Sequence, residues 1–195
     1  REHYPRFGLK ILIPGAMAGC LIGKEGCIIN QLQTVTSTRI KLSQKSEFFP
    51  GTQDRVGLIH GEPAGVASAV TQMLRRLKET GRQDVHPGAG VGMGTGGDRF
   101  SGRRNTMLRM LVPLSAGGLL VGKGGENIKA IAANTGTRVN LAGKDTEMAG
   151  VPYERLCSVQ GELESVIRAA SMIVTKLAED RGLSKYQSNQ TCYQS

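Results

Sequence analysis

The sequence predicts an α+β protein that contains two copies of one small unit, each with the element order βααββα. The main observation is an internal repeat: LKILIPGAMAGCLIGKEGCIINQLQTVTSTRIKL begins at Leu9, and LRMLVPLSAGGLLVGKGGENIKAIAANTGTRVNL begins at Leu108. In both copies apolar residues alternate before a glycine-lysine turn and recur at helical spacing after it. A glycine-rich stretch separates the copies. Because a duplicated segment marks a duplicated structural unit, we expect two domains of about 70 residues.

The elements of the first unit follow from the local periodicity of its apolar residues. Leu9, Ile11 and Ile13 alternate along a strand that Pro14 closes. Apolar residues three and four apart predict a helix after the glycine turn, and a long amphipathic run after Pro63 predicts another. The predicted elements are a strand at 9–13, helices at 16–22 and around 28–35, strands at 38–42 and 55–60, and a helix from 63.

The second unit repeats this order, and its last helix has the clearest pattern. Between Leu163 and Leu177, apolar residues recur at the spacing of one helix face, which predicts a helix that packs on a sheet. The remaining predicted elements are strands at 108–112, 137–141 and 155–159 and a helix around 128–131. Each unit is therefore expected to have a three-stranded sheet and three helices.

Composition also divides the chain. The first domain is predicted at 6–80 and the second at 104–182. Residues 81–103 contain eight glycines and few apolar side chains, which is typical of a flexible linker. The tail at 183–195 is polar, and we expect it to be disordered and to have no role of its own.

The charge balance favours a polyanionic partner. Lys and Arg number 25 against 16 acidic residues, for a net charge of +9, which suits nucleic acid or an anionic membrane surface. Four Phe, four Tyr and no Trp are too few aromatic rings for a sheet that stacks bases, as RRM and OB folds do. No apolar stretch is long enough to span a membrane, so we expect a soluble intracellular protein without a membrane partner.

Nothing in the sequence predicts a catalytic residue, a metal site or a cofactor. The four cysteines form no CxxC pair, and the three histidines have no repeated Ser, Cys or Asp around them. Gly117 to Lys123 matches the start of a P-loop, but Gly124 stands where Ser or Thr must hold magnesium. Nucleotide hydrolysis and a small-molecule substrate are therefore not expected.

The two glycine turns, 23–26 (GKEG) and 122–125 (GKGG), are the strongest functional signal. A missing Cβ lets a phosphate backbone approach main-chain amides at a helix N-terminus, and each lysine adds a positive charge there. The alternative is a tight turn that needs two flexible residues. Repetition of the motif at the same place in the same order of elements favours the phosphate-binding interpretation.

These turns, within a βααββα unit, resemble those of the type I KH domain, whose GXXG loop clamps a nucleic-acid backbone of four nucleotides. Within that family the sequence is most similar to the Nova splicing regulators. The similarity is carried by LIGKEG, QLQ, TRIKLS and FFPGTQDRV in the first unit and by LVP, GLLVGKGG, IKAI, TG and ERL in the second. Poly(C)-binding proteins are the next nearest. The resemblance implies in each unit a three-stranded antiparallel sheet packed against three helices.

The resemblance also implies a groove for four bases between the first two helices, the glycine loop and the second strand. Backbone groups near Ile40 and Val139 would read an adenine edge, and Arg55 and Arg155 would donate to cytosine. Core packing is the alternative for the apolar residues of the floor, and a solvated side chain is the alternative for each arginine. The implied RNA-binding residues are Ile22, Gly23, Lys24, Glu25, Gly26, Ile29, Ile40, Lys41 and Arg55 in the first unit, and Val121, Gly122, Lys123, Gly124, Gly125, Ile128, Val139, Asn140 and Arg155 in the second.

The function that the resemblance implies is sequence-selective binding of single-stranded RNA, at pyrimidine-rich CA motifs such as YCAY, in the regulation of pre-mRNA alternative splicing. The implied location is the nucleus, with the cytoplasm as a second compartment. Glu25 places an acid where phosphates should pass, so the first unit is expected either to bind RNA more weakly than the second or to hold the strand differently. The alternatives are a KH module for self-association or protein binding with one RNA-competent unit, and a poly(C)-binding regulator of mRNA stability or translation.

Overall fold

A computed structural model describes residues 7–83, 105–143, 151, 153–183 and 187–193. Most of the predicted linker at 81–103 lies outside these residues. In the first unit the elements are β1 Phe7–Pro14, α1 Ala18–Ile22, α2 Cys27–Thr36, β2 Arg39–Leu42, β3 Asp54–Gly61 and α3 Pro63–Gln83. In the second unit they are β4 Asn105–Pro113, α4 Gly117–Val121, α5 Glu126–Thr135, β5 Arg138–Leu141, β6 Glu154–Glu162 and α6 Leu163–Ala178. The α+β class and the βααββα order of each unit are confirmed.

Short 3₁₀ turns change the predicted start of the first helix. The first helix was expected from Ala16, but a 3₁₀ turn occupies Gly15–Met17 and α1 begins at Ala18. A further 3₁₀ turn at Lys24–Gly26 separates α1 from α2. The second unit has the same turns at Leu114–Ala116 and Lys123–Gly125. The glycine turns therefore hold α1 and α2, and α4 and α5, as separate helices.

Within each unit, the first strand pairs with the third and the third pairs with the second. β1 runs antiparallel to β3 from Phe7 opposite Gly61 to Pro14 opposite Asp54, and β2 pairs with the other edge of β3. β4, β6 and β5 repeat this arrangement. The short second strands, β2 and β5, consequently lie at the edges.

The two units share one sheet. β1 and β4 pair antiparallel through Lys10 opposite Leu111 and Ile11 opposite Met110, which gives the six-strand order β2-β3-β1-β4-β6-β5. The three-stranded sheet predicted for each unit is present, and the two sheets join because each unit leaves its first strand as an unpaired edge. Pairing the two edges satisfies backbone groups that would otherwise face solvent.

The core on the helical side of the sheet is also continuous between the units. Alternate residues of β1 and β4, such as Ile11 and Met110, are buried with the inner faces of α3 and α6 in one cluster. Ile173 on α6 and Met73 on α3 have at most 1% exposure. Burial of such side chains contributes about 1.5–3 kcal/mol each relative to leaving them exposed, so this shared core stabilises both units together.

The opposite face of the sheet carries a second, smaller cluster that includes the C-terminal segment. Leu12, Phe49, Val56, Leu111, Val151 and Tyr193 are buried there. The tail was expected to be disordered and to have no role. Instead, residues 187–193 pack on this face, because Tyr193 brings an aromatic ring to an apolar patch that the strands leave uncovered.

Candidate nucleic-acid interface

The two glycine turns adopt nearly the same backbone conformation. Gly23 and Gly122 have φ near +75° with ψ 176°, a region open essentially only to glycine. Gly26 and Gly125 are left-handed, at φ 77° and 80°, and directly precede α2 and α5. The amides at the start of these helices therefore lie next to the loop, where helix geometry suits a phosphate.

The first glycine of each turn is also required by packing. A Cβ on Gly122 would lie 2.6 Å from the Asn127 side chain, and a Cβ on Gly23 would collide with Ile28. Asn127 in turn donates through Nδ2 to the Leu119 carbonyl at 2.9 Å, which ties the start of α5 to α4. Glycine at these positions thus lets the second helix of each pair approach the first closely.

The residue at the third position of the turn differs between the two units. It has a left-handed backbone in both, with φ 54° at Glu25 and 63° at Gly124. A residue with a Cβ is strained there by roughly 1–2 kcal/mol, whereas glycine is not. Glu25 is exposed beside the exposed Lys24, so an acid stands in the first loop where the second loop carries only Lys123.

The predicted apolar floor lies between the loop and the second strand. Ile22 and Ile29 are half-buried, and Ile40 is 7% exposed. The second unit places Val121, Ile128 and Val139 at the matching positions, and all three are half-buried. Partial exposure of these side chains at the surface is consistent with a floor that a base could contact, whereas Ile40 is mainly a core residue.

The edge strands would form the other side of the predicted groove. In the first unit the Ile40 amide donates to Oε1 of Gln33, one turn after Ile29 on α2, at 2.9 Å. Gln33 is held in turn by Asn30, whose Oδ1 accepts from its amide at 3.3 Å. The matching residue of the second unit is Ala132, which has no such group. The side chains of Lys41 and Asn140 are exposed along these strands.

The two predicted cytosine donors are tied to the backbone beyond the second strands. Arg55 donates through Nε to the Ser43 carbonyl at 2.8 Å, and through Nη2 to the same oxygen. Arg155 donates through Nε to the Ala142 carbonyl at 2.6 Å and is 8% exposed. A Cβ on Gly117 would collide with the Arg155 guanidinium. Both arginines therefore fix the end of the edge strand beside the groove.

Two groups of the site were missed by sequence reasoning. Gln33 lies within the QLQ segment and shares a helix face with Ile29, four residues earlier, so helical spacing could have placed it in the groove. Asn127 follows the second glycine turn by two residues, where a side-chain amide can cap or anchor neighbouring backbone. Neither residue type is repeated in the other unit, which is why the comparison of the two copies did not select them.

The described residues offer little to other chemistry. None of the helices in the described ranges is long and apolar enough to cross a membrane. Across the same residues, no group of His, Cys, Asp and Glu has the arrangement of a metal site. All four cysteines are unpaired thiols, and burial raises the pKa of Cys157 to about 12.

Comparison with known proteins identifies the repeated unit. The family model described as KH domain matches residues 8–75 and 107–175. The RNA-binding protein Nova-2 of Homo sapiens is 36% identical over 173 residues, which are 88% of this chain and 34% of Nova-2. The RNA-binding protein Pasilla of Drosophila melanogaster is 31% identical over 174 residues, 89% of this chain and 21% of Pasilla. The chain thus spans about a third or less of these relatives.

Solved structures align over most of the chain but at low similarity. The crystal structure of the a/eIF2alpha-aDim2p-rRNA complex from Pyrococcus horikoshii covers 94% of this chain and 93% of the matched chain, with 16% identity and a TM-score of 0.32. That similarity is too low to inform on the site. The family match and the two relatives confirm the resemblance found in the sequence. With one family match in each half of the chain, this protein belongs to the KH-domain family as a tandem pair similar to Nova-2 and Pasilla.

Proposed function

We propose that this protein binds single-stranded RNA without catalysis, through one groove in each KH unit, and that it regulates pre-mRNA splicing. The observation that carries the proposal is the duplicated glycine loop, with the same backbone geometry in both units, beside a half-buried apolar floor. Both relatives, Nova-2 and Pasilla, are named as RNA-binding proteins. The resemblance to the Nova family supports the splicing role and a nuclear location.

Each groove offers one group for the phosphates and another for the bases. The loop presents amides at a helix N-terminus and an exposed lysine, Lys24 or Lys123, which would hold the backbone without reading sequence. The edge strand offers amide and carbonyl groups near Ile40 and Val139 that would read a base edge. Pyrimidine-rich CA elements of the YCAY type, about four nucleotides per unit, are the proposed targets.

In the shared sheet the two proposed grooves would lie far apart. β2 and β5 lie at opposite edges of six strands, so the second strands are separated by roughly 24 Å at about 4.8 Å per strand spacing. Because β1 and β4 are antiparallel, the two grooves also point in opposite directions along the sheet. One RNA strand that fills both grooves must therefore reverse its direction between two separated elements.

Selection of RNA ligands by the intact chain tests this proposal. We expect enrichment of paired YCAY-like elements, with a spacer between them, and tighter binding of the paired RNA than of either element alone because linked sites raise the effective concentration. A scrambled RNA of equal length and charge is the control. Enrichment of only one element, bound through the second unit alone, would support the alternative in which the first unit serves protein contacts.

A further inference from the structure

The junction between the units has approximate two-fold symmetry, and its two cross-unit ion pairs show this. Lys10 pairs with Glu154, and Arg109 pairs with Asp54. Lys10 and Arg109 occupy equivalent positions of β1 and β4, while Asp54 and Glu154 are equivalent positions at the starts of β3 and β6. Each pair thus joins a first strand of one unit to the third strand of the other.

The two ion pairs differ in what covers them. The Lys10 and Glu154 side chains are 4% and 7% exposed, whereas those of Arg109 and Asp54 are 27% and 11% exposed. Tyr193 accounts for the difference. Its hydroxyl accepts from Lys10 Nζ at 2.7 Å and donates to Glu154 at 2.5 Å. A residue from the C-terminal segment therefore completes one of two otherwise equivalent contacts.

The same segment, 187–193, contacts the first unit through Gln187, Asn189 and Tyr193. Gln187 accepts from the Gly8 amide at 3.3 Å, and Asn189 bonds to the His60 ring at 3.1 Å. The Tyr193 ring meets Phe49 edge to face at 5.5 Å. The segment follows α6 of the second unit in sequence, so its contacts with β1, β3 and the loop of Phe49 join one unit to the other.

We infer that residues 187–193 form a clasp, which occupies the open face of the sheet and fixes the orientation of the two KH units. The occupant of this surface is the chain's own segment, and its anchor is Tyr193 between Lys10 and Glu154. The strand pairing between the units covers only two residue pairs. A contact that shields an ion pair from water therefore adds directly to the stability of the junction. The clasp acts on the relative position of the grooves rather than on either groove.

This inference extends the proposed function but can be tested without RNA. Amide hydrogen exchange of the full chain should report opening of the junction at those amides among residues 10, 11, 110 and 111 that face the other unit, because successive amides of a strand point to opposite neighbours. In Tyr193→Ala we expect exchange there to rise about tenfold, while exchange in the β2 and β3 pairs remains unchanged. Tyr193→Phe keeps the ring against Phe49 and removes the hydroxyl, and we expect an intermediate rise. Gln190→Ala, whose side chain donates to the Cys192 carbonyl within the segment, is the matched control.

RNA titration provides the second readout. With RNA that carries two spaced elements, Tyr193→Ala should lose about tenfold in affinity, while RNA with one element should bind each variant equally. Unchanged exchange at the junction in Tyr193→Ala overturns the clasp whatever the RNA result. Faster exchange, with no change in the affinity advantage of two-element RNA over one-element RNA, contradicts the proposed effect of the clasp on the relative position of the grooves. Failure of every variant, including the native chain, to bind RNA contradicts the proposed function and leaves the exchange result intact.

Discussion

The two glycine loops have the same backbone and different chemistry. At the third position Glu25 is strained at φ 54° and brings an acid, whereas Gly124 is relaxed at φ 63° and brings no side chain. The strand edges differ as well. In the first unit the Ile40 amide donates to Gln33, whereas Ala132 at the matching position of the second unit has no group that could accept such a bond. The two copies therefore share the loop backbone, while the position of the acid, Glu25 within the first loop and Glu126 just after the second, and the hydrogen-bonding groups beside the edge strand differ. We expect the second unit to bind RNA more tightly.

Lys123→Asp combined with Gly124→Asp should have the largest effect. The change replaces a cation with two acids at the phosphate site, and we expect RNA affinity to fall at least tenfold, with a smaller salt dependence. Aspartate tolerates the left-handed backbone better than most residues, so the fold should persist. Fluorescence titration and circular dichroism measure the two quantities.

The equivalent change in the first unit, Lys24→Asp combined with Glu25→Asp, is the matched control. It should reduce affinity less, because the first loop already carries an acid. Equal losses in the two double variants would contradict the dominance of the second unit.

Glu25→Gly should make the first loop resemble the second. Removal of the backbone strain should raise the free energy of unfolding by about 1 kcal/mol. Loss of the acid should raise the affinity of the first groove for RNA about fivefold, because a negative charge no longer repels roughly one RNA phosphate. Urea denaturation and titration with a one-element RNA, in a background that carries the Lys123 and Gly124 changes, measure these effects.

Glu25→Gln separates charge from strain in this comparison. It keeps a side chain in the left-handed region but removes the negative charge, so affinity should rise without the gain in stability. A gain in stability as large as that of Glu25→Gly would show that charge, and not backbone strain, destabilises the loop.

Gln33→Ala should have a smaller effect, limited to the first groove. A base that reads the Ile40 amide must first displace Gln33, and a hydrogen bond of this kind contributes about 1 kcal/mol. We expect one-element RNA to bind the first unit up to about fivefold more tightly in the variant. Ala132→Gln in the second unit is the reciprocal test and should weaken binding. Tighter RNA binding in both variants would contradict the proposed competition between Gln33 and RNA for the Ile40 amide.

The smallest expected effect concerns the thiol of Cys27, beside the first loop. Cys27 is exposed and directly follows Gly26, so RNA in the first groove should slow its alkylation about twofold to fivefold, through partial cover of the thiolate. Cys157 is the internal control, because burial raises its thiol pKa to about 12 and it should not react at pH 8 in either state. Equal alkylation rates of Cys27 with and without a saturating RNA would show that the RNA does not bind beside the first loop.

Much of each unit could be predicted from local sequence. Alternation placed β1 and β4 within two or three residues of their bounds, and helical spacing placed α6. The glycine turns were recognised because the repeat displayed them twice. The roles of Arg55 and Arg155 were harder to predict, since an arginine beside a groove can serve a ligand or a backbone carbonyl. Their bonds to Ser43 and Ala142 depend on how the strand ends fold back.

Local residue patterns were enough to establish the two βααββα units, the position of their glycine loops and the acid within the first loop. These features depend on residue type and on spacings of a few residues, which set local backbone preferences. Three further features depend on long-range packing: β1 and β4 join the units into one sheet, Gln33 reaches the Ile40 amide, and residues 187–193 cover the junction. Contacts such as Lys10 with Glu154 and Tyr193 join residues more than 140 positions apart, where no periodicity links them and only the packed fold brings them together.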